Sequence, residues 1–174
     1  TGYDLKRGIY TNVEADVKEP GSIVLDAKLF GEMVRRMPDG MVTIESDEKF
    51  MTNVKCGKTE FNFVGIDSED YPELPSVDGL KSFSIKQGVL KSMINQTIFA
   101  VSDNDSRPVY TGSMFEIDNG IITVVSVDGF RLAIRQEACS YHDEMDFIVP
   151  GKTLGEVAKL LDSEKDEEIL IALT

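Results

Sequence analysis

The sequence has little of what most catalytic and metal sites require. Among its 174 residues there is no tryptophan, one histidine and only two cysteines, Cys56 and Cys139. Two thiols with no metal-binding spacing indicate free cysteines rather than a disulfide framework. His142 lies in the polar run 140–144 and is interpreted as a solvated loop histidine, and no serine or cysteine has an implied histidine partner. We therefore expect no enzyme, no metal site and no cofactor.

Long apolar runs and an excess of basic charge are also missing. No apolar run approaches the ~20 residues that span a bilayer. No signal peptide opens the chain, so we expect a cytoplasmic protein without membrane contact. The net charge is −13. Such a charge argues against binding nucleic acid over the whole surface, because that affinity depends on neutralising phosphates. A local basic face is still compatible with this net charge.

Two short stretches resemble ligand-binding loops but lack an essential residue. The run 150–153 ends like a phosphate-binding loop, as does 57–59, but the glycine required five positions earlier is replaced by Asp146 in the first case and Thr52 in the second. Asp103 opens a run that resembles a calcium loop, but Arg107 stands where an oxygen ligand is needed. We predict neither a nucleotide site nor a calcium site.

Hydrophobic periodicity predicts an α+β chain in two parts. An acidic, proline-containing stretch at about 66–79 has no periodicity and is predicted to be a linker at the end of the first part. The first part, residues 1–79, is expected to be the second half of one domain, and residues 80–174 most of the next. Because the chain has no initiator methionine and ends in a predicted strand, we expect a fragment of a longer protein. The predicted helices are 26–37, 86–97 and 151–161; the predicted strands are 22–25, 41–45, 50–56, 60–65, 82–85, 109–117, 121–127, 131–136, 146–149 and 168–174, with 5–17 extended and 98–101 leading into a polar loop.

The chain also repeats itself. A displacement of 124 positions places Asp4 on Asp128 and Arg7 on Arg131. The same displacement aligns the apolar stripe of the first predicted helix with that of the third. The aligned polar and glycine positions are Lys28 with Lys152, Gly31 with Gly155, and Glu32 with Glu156. Equal spacing in two regions predicts tandem domains, each with a helix packed on one face of a sheet.

Basic residues are concentrated on the predicted helices. These three segments carry a net charge of +4, although the whole chain carries −13. One interpretation is that these are ordinary solvated helix faces. The other is that all three helices line one side and attract a phosphate backbone weakly. The basic residues are Lys28, Arg35, Arg36, Lys86, Lys91, Lys152 and Lys159.

The segment 121–136 is predicted to form a hairpin around Asp128-Gly129, a dipeptide suited to a tight turn. An ordinary hairpin is one interpretation. The other is a recognition pocket, because Phe130, Arg131 and Leu132 place a ring, a cation and an aliphatic side chain together at a strand start.

Several of these stretches resemble the bacterial DNA polymerase III β subunit family, the replicative sliding clamps. The resemblance runs essentially end to end, and Arg-Pro-x-x-Thr-Gly followed at this distance by Asp-Gly-x-Arg-Leu is quite specific. The matching stretches are 71–75 (YPELP), 107–112 (RPVYTG), 114–116 (MFE), 127–133 (VDGFRLA) and 147–152 (FIVPGK).

The resemblance implies the DNA-clamp fold and a role without catalysis. Clamp protomers have three similar domains, and two protomers close a homodimeric ring around double-stranded DNA, with helices lining the hole. Such a processivity factor tethers DNA polymerase, clamp-loader subunits and other factors through short hydrophobic peptides. A fragment of this length is expected not to close a ring. The alternatives are a non-replicative tandem α+β protein-interaction scaffold and, as a third class, a hydrolase that uses the acidic clusters.

The resemblance also implies which residues would bind the partner peptide and which would face DNA. The pocket for the partner peptide is expected between the second and third domains, where the family often has threonine in place of Val127 and histidine in place of Phe130. The loop 102–107 corresponds to a loop near DNA. The pocket wall would comprise Tyr110, Val127, Asp128, Gly129, Phe130, Arg131 and Leu132; the DNA-facing set would comprise Asn104, Arg107 and the seven basic helix residues named above.

Overall fold

The computed structural model describes residues 1–5, 7–69, 71–74 and 81–173, which form two compact units, Thr1–Pro75 and Ser76–Thr174. In the first unit, β1 and β2 form a short hairpin, and β3, β4 and β5 form an antiparallel meander in that order. The elements of this unit are β1 (Gly2–Tyr3), β2 (Gly8–Ile9), α1 (Ala27–Val34), β3 (Val42–Ser46), β4 (Met51–Cys56) and β5 (Thr59–Val64).

The first unit has a small core between α1 and the three-stranded sheet. Met33 of α1 packs with Val54 of β4 and Phe63 of β5. The helix begins where predicted, because the carboxylate of Asp26 accepts a hydrogen bond from the Leu29 amide at 2.7 Å and caps the first turn. The cap and the apolar stripe together fix where α1 begins and which face it buries.

Two predictions for the first unit need correction. The predicted strand 22–25 is reduced to one bridge between Val24 and Ile66. Within the segment predicted as extended, 5–17, residues Gly8–Ile9 form β2. The helix predicted over 26–37 ends at Val34, and the turn and bend that follow it lie before Pro38. Residues 66–69 of the predicted linker hydrogen-bond within this unit, whereas residues 75–79 lie outside the described ranges.

The second unit contains a larger core. An antiparallel sheet has the strand order β10-β7-β8-β9, and β11 pairs antiparallel with β6. Helices α2 and α3 pack against each other and against these sheets. The elements are β6 (Ser82–Lys86), α2 (Gln87–Thr97), a 3₁₀ turn (Ile98–Ala100), a second 3₁₀ turn (Pro108–Thr111), β7 (Gly112–Asp118), β8 (Ile121–Val127), β9 (Leu132–Ala138), β10 (Met145–Pro150), α3 (Gly151–Leu160) and β11 (Glu168–Ala172).

Strand alternation decides which side chains of this sheet reach the core. Phe115 and Ile117 of β7 are buried, as are Ile122 and Val124 of β8, while Met114 on the opposite face of β7 is exposed. Phe115 also stacks on a ring of β10, with centroids 5.1 Å apart. The apolar-in alternation therefore leaves one sheet face outside the core, as in other antiparallel sheets.

The strand predicted from Val109 begins later. Residues Pro108–Thr111 form a 3₁₀ turn, and β7 starts only at Gly112. Pro108 has no amide hydrogen to give to a strand ladder and its φ suits a helical first turn. The Tyr110 amide instead donates to the carbonyl of Arg107 at 3.0 Å. The segment predicted to lead into the polar loop begins with a 3₁₀ turn, Ile98–Ala100.

The predicted repeat is confirmed by the hairpin registers. Tyr3 pairs with Gly8 in the first unit, and Val127 pairs with Leu132 in the second, at the same displacement of 124 positions. The helices α1 and α3 begin at the aligned residues Ala27 and Gly151. Each unit therefore repeats a hairpin followed, after an intervening segment, by a helix.

Candidate partner-binding site and basic surface

The turn between β8 and β9 is held by one carboxylate. Asp128 Oδ1 accepts hydrogen bonds from the amides of Phe130 and Arg131 at 2.9 and 3.0 Å. Its second oxygen, Oδ2, accepts from Arg131 Nε at 2.7 Å. Gly129 has a φ of +94°, a left-handed conformation that glycine adopts without a steric penalty. Asp128 and Gly129 together fix the direction in which residues 130–132 leave the turn.

The same brace is present in the first unit. Arg7 donates from its amide and from Nε and Nη2 to the carboxylate of Asp4, at 2.6, 3.1 and 2.9 Å. The aspartate and the arginine therefore have a structural role common to both copies of the repeat. Because the brace is present in both copies, it does not by itself account for a function that only one copy has.

The Asp128 carboxylate is stabilised in its ionised form. The hydrogen bond from the Phe130 amide, followed by those from the Arg131 amide and side chain and by the charge of Arg131, holds the pKa of Asp128 below its usual value, with desolvation acting against them. The carboxylate is therefore a permanent acceptor at neutral pH. The brace of the turn does not depend on small changes of pH around neutrality.

The turn presents two large apolar side chains to solvent. Phe130 is 100% exposed and Leu132 is 60% exposed, whereas Val127 beside them is half-buried. A fully exposed phenylalanine on a rigid, hydrogen-bonded turn contributes nothing to the core of this unit. Exposed apolar residues clustered in this way mark interaction sites.

Tyr110 reaches the same end of the sheet through the chain topology. The start of β7 lies opposite the end of β8, where the hydroxyls of Ser113 and Ser126 share a buried hydrogen bond of 2.7 Å. The 3₁₀ turn that carries Tyr110 therefore enters the sheet beside the turn that carries Phe130. Arg107, Pro108, Val109 and Tyr110 line a shallow depression of about 380 Å³.

One neighbour of this site was not predicted. The Arg131 guanidinium carbon lies 6.0 Å from the centroid of the Phe99 ring, and Phe99 is 58% exposed. The sequence predicted only that 98–101 leads into a polar loop, which gives no reason to place Phe99 near Arg131. In the 3₁₀ turn the two adjacent side chains point in different directions: Ala100 is fully buried, whereas Phe99 faces outward.

The basic residues predicted to face DNA fall into two groups. In the first group the charge already has a partner: Lys86 pairs with Asp166 at 2.6 Å, Lys159 pairs with Glu156 at 2.8 Å, and Lys91 Nζ donates to the carbonyl of Leu161 at 2.8 Å. The hydrogen bond with Asp166 raises the pKa of Lys86. In the second group the side chains are exposed and form no ion pair with a described residue; they are Lys28, Arg35, Arg36, Arg107 and Lys152.

Asn104 has a local role in the loop 102–107. Its side-chain oxygen accepts a hydrogen bond from the Ser106 amide at 3.0 Å, and its own amide donates to the Ser102 hydroxyl at 3.1 Å. These bonds shape the loop and hold Arg107 at its end. The amide group of Asn104 is therefore already engaged through its oxygen.

In the part of the chain that the structure describes, no group of three or more histidine, cysteine, aspartate or glutamate side chains is arranged to hold a metal ion. None of the helices in this part is long and apolar enough to cross a membrane.

Comparison with known families matches both units of the chain. Residues 1–75 match the N-terminal domain of the DNA polymerase III beta subunit, and residues 84–174 match its central domain. The chain therefore belongs to the DNA polymerase III beta subunit family and has its α+β clamp fold.

Individual relatives agree with this assignment. The beta sliding clamp of Halalkalibacterium halodurans is 42% identical over 170 residues, which is 95% of this chain and 44% of that protein. The beta sliding clamp of Bacillus subtilis is 35% identical over 152 residues, or 86% of this chain and 40% of that protein. The chain thus spans less than half the length of the curated relatives it matches.

Solved structures are similar over the same extent. A DNA polymerase III beta subunit from Eubacterium rectale superposes with a TM-score of 0.87 at 41% identity, covering 93% of this chain and 45% of that one. A DnaN sliding clamp from Pseudomonas aeruginosa bound to griselimycin gives a TM-score of 0.83 at 32% identity, covering 91% of this chain and 43% of that one.

Proposed function

We propose that the chain is part of a DNA polymerase processivity factor, a non-catalytic sliding clamp that encircles duplex DNA as a homodimer. The clamp would work in the cytoplasm, without membrane contact, and would tether DNA polymerase, clamp-loader subunits and other replication or repair factors. The observation that carries the proposal is the braced turn 128–131, which presents Phe130 and Leu132 to solvent in a chain that matches two clamp domains.

In this proposal the turn forms one wall of a pocket for a short hydrophobic partner peptide. Apolar anchors that enter a rigid pocket give most of the affinity in such interfaces. Phe130 and Leu132 supply the apolar surface, and the Asp128–Arg131 brace supplies the rigidity. The other wall residues are Tyr110, Val127 and Gly129.

The pocket is tested by titrating a fluorescent peptide of the QL-x-LF type against the full-length encoded protein. Leu132→Asp should weaken binding at least ~10-fold, because it places a charge against an apolar anchor. Leu170→Asp is the matched control, since Leu170 is a 69%-exposed leucine on a strand of the same unit. Equal binding by Leu132→Asp and the unchanged protein would refute the pocket assignment.

A second arm of this test uses griselimycin. The clamp from Pseudomonas aeruginosa, 32% identical, is bound to griselimycin in its structure. We expect griselimycin to bind this protein as well and to compete with the fluorescent peptide. Binding of griselimycin without displacement of the peptide would place the two ligands at different sites and count against a shared pocket.

For DNA we propose contacts from exposed cations on each unit, none of which forms an ion pair with a described residue: Lys28, Arg35 and Arg36 of the first unit, and Arg107 and Lys152 of the second. Lys86, Lys91, Lys159 and Asn104 of the second unit are secondary members of this set, because their polar groups already have partners within the chain. Few cations on an acidic body attract phosphates without fixing a register, which suits a protein that slides.

Loading onto nicked circular DNA tests these contacts. Lys28→Glu with Lys152→Glu should reduce retention on the circle at moderate salt and leave peptide binding intact, because both side chains are exposed and neither belongs to the pocket wall. Lys55→Glu with Lys58→Glu introduces the same charge change on an exposed hairpin of the three-stranded sheet and is the control. Unchanged loading of the first variant would contradict these contacts, and no retention of the unchanged protein would favour the non-replicative scaffold.

A further inference from the structure

The Arg131 side chain is held on two sides. Its Nε donates to Asp128 Oδ2 at 2.7 Å, and its guanidinium carbon lies 6.0 Å from the centroid of the Phe99 ring. The Nη1 and Nη2 groups make no hydrogen bond with any residue in the described ranges. The side chain remains about half exposed, so these two donor groups are available to a ligand.

The position of Phe99 is not explained by the core. Its neighbour Ala100 is fully buried and Ile98 is packed against the main core cluster, but the Phe99 ring is mostly exposed. A ring in that position contributes little by burial. Its described contact is with Arg131, and aromatic faces attract guanidinium groups at this separation.

We propose that Phe99 is a positioning residue of the partner-peptide pocket, whose ring holds the Arg131 guanidinium so that its Nη groups donate to an acceptor oxygen of the bound peptide. This inference rests on the pocket proposed above and adds to it a residue outside the wall and a polar contact. An arginine that is free to rotate loses side-chain entropy when it binds. An arginine already held by a carboxylate and a ring loses less, which strengthens the same hydrogen bonds.

The experiment uses the full-length encoded protein and the fluorescent peptide of the QL-x-LF type. Phe99→Leu keeps an apolar side chain but removes the ring face, and should weaken binding about two- to fivefold. Phe99→Tyr keeps the ring and should restore binding. Tyr10→Leu removes another exposed aromatic ring, outside this site, and should leave binding unchanged.

Two further measurements separate positioning from direct contact or from misfolding. In an Arg131→Gln background, Phe99→Leu should add no further weakening, because Phe99 acts through Arg131. In the ¹H–¹⁵N spectrum of arginine Nε groups, the Arg131 signal should carry a ring-current shift that Phe99→Leu removes and Phe99→Tyr retains. A merely structural role of Phe99 would not produce this pattern.

The outcomes distinguish the inference from the function on which it rests. Peptide binding that is normal in Phe99→Leu overturns the inference and leaves the pocket standing. Equal weakening by Phe99→Leu with and without Arg131 also overturns it, since the ring would then act directly on the peptide. Absence of peptide binding by the unchanged protein overturns the pocket and this inference together.

Discussion

Replacing Gly129 by alanine should destabilise the second unit and distort the turn that carries Phe130. Gly129 has a φ of +94°, and a Cβ built there meets no atom within 4 Å. The substitution therefore creates no clash, and its cost is conformational. A left-handed conformation costs an L-residue about 1–2 kcal/mol. Reduced freedom of the unfolded chain offsets about 0.4–1 kcal/mol of this, which leaves a net loss of about 1 kcal/mol.

The first copy of the repeat supplies the reciprocal change. Leu5 aligns with Gly129 and has a φ of +68°, so an ordinary side chain occupies the left-handed position there. Its side chain is 72% exposed and contributes little by burial. Leu5→Gly should therefore leave the first unit unchanged or stabilise it by up to about 1 kcal/mol, since relief of strain exceeds the entropy that glycine adds.

Urea unfolding followed by fluorescence and circular dichroism measures both changes. Gly21→Ala is the matched control, because a Cβ there also meets no atom within 4 Å and its φ lies outside the left-handed range. That control should be neutral or slightly stabilising. A Gly129→Ala protein as stable as the Gly21→Ala protein would refute the argument from backbone conformation.

Three other changes have defined outcomes. Lys91→Met should lower the free energy of unfolding in urea by about 1–2 kcal/mol, because it removes the charged donor to the Leu161 carbonyl at the end of α3. Lys152→Met, which replaces an exposed cation, should change it by less than about 0.5 kcal/mol. Equal effects of the two substitutions would contradict a stabilising role of the Lys91 hydrogen bond. Gly31→Ala should stabilise α1 by about 1 kcal/mol, since a Cβ there meets nothing within 4 Å, and a loss of stability would contradict this. Because the pKa of Asp128 is lowered in the folded state, its contribution to stability is present above the ordinary value of 3.8 and is lost as the pH falls through the lowered pKa. Asp128→Asn should remove this part of the pH dependence of the free energy of unfolding. If the pH dependence is unchanged in the variant, the brace with Arg131 contributes nothing to stability.

Local pattern predicted the second unit better than the first. Alternating apolar residues predicted β8, where Ile122 and Val124 are indeed buried, and helical spacing predicted α3, where Leu154 and Ala158 are buried. These elements bury one regular face, so their period is visible in the sequence. The segment 5–17, predicted as extended, has β-branched residues but little core to cover, and of its described residues only Gly8–Ile9 form a strand.

In the candidate site, too, some features could be predicted from the sequence and others could not. The Asp-Gly turn and its exposed neighbours could be predicted, because Asx hydrogen bonds and left-handed glycine are local properties. The partners of Lys91 and Arg131 could not, because Leu161 and Phe99 lie far away in sequence. Charge counts alone gave Lys91 and Lys152 the same weight, although only one of them is exposed.

The repeat of 124 positions, the α+β pattern and the turn between β8 and β9 follow from the order of residues alone, since each depends on periodicity or on contacts between near neighbours. The register match between the two copies and the shared Asp–Arg brace show how closely that order specifies local geometry. Tertiary packing of distant segments decided which cations form no ion pair with a described residue, and it placed Phe99 against Arg131. Packing energy depends on all the elements that meet at a point, and no single stretch of the chain contains that information.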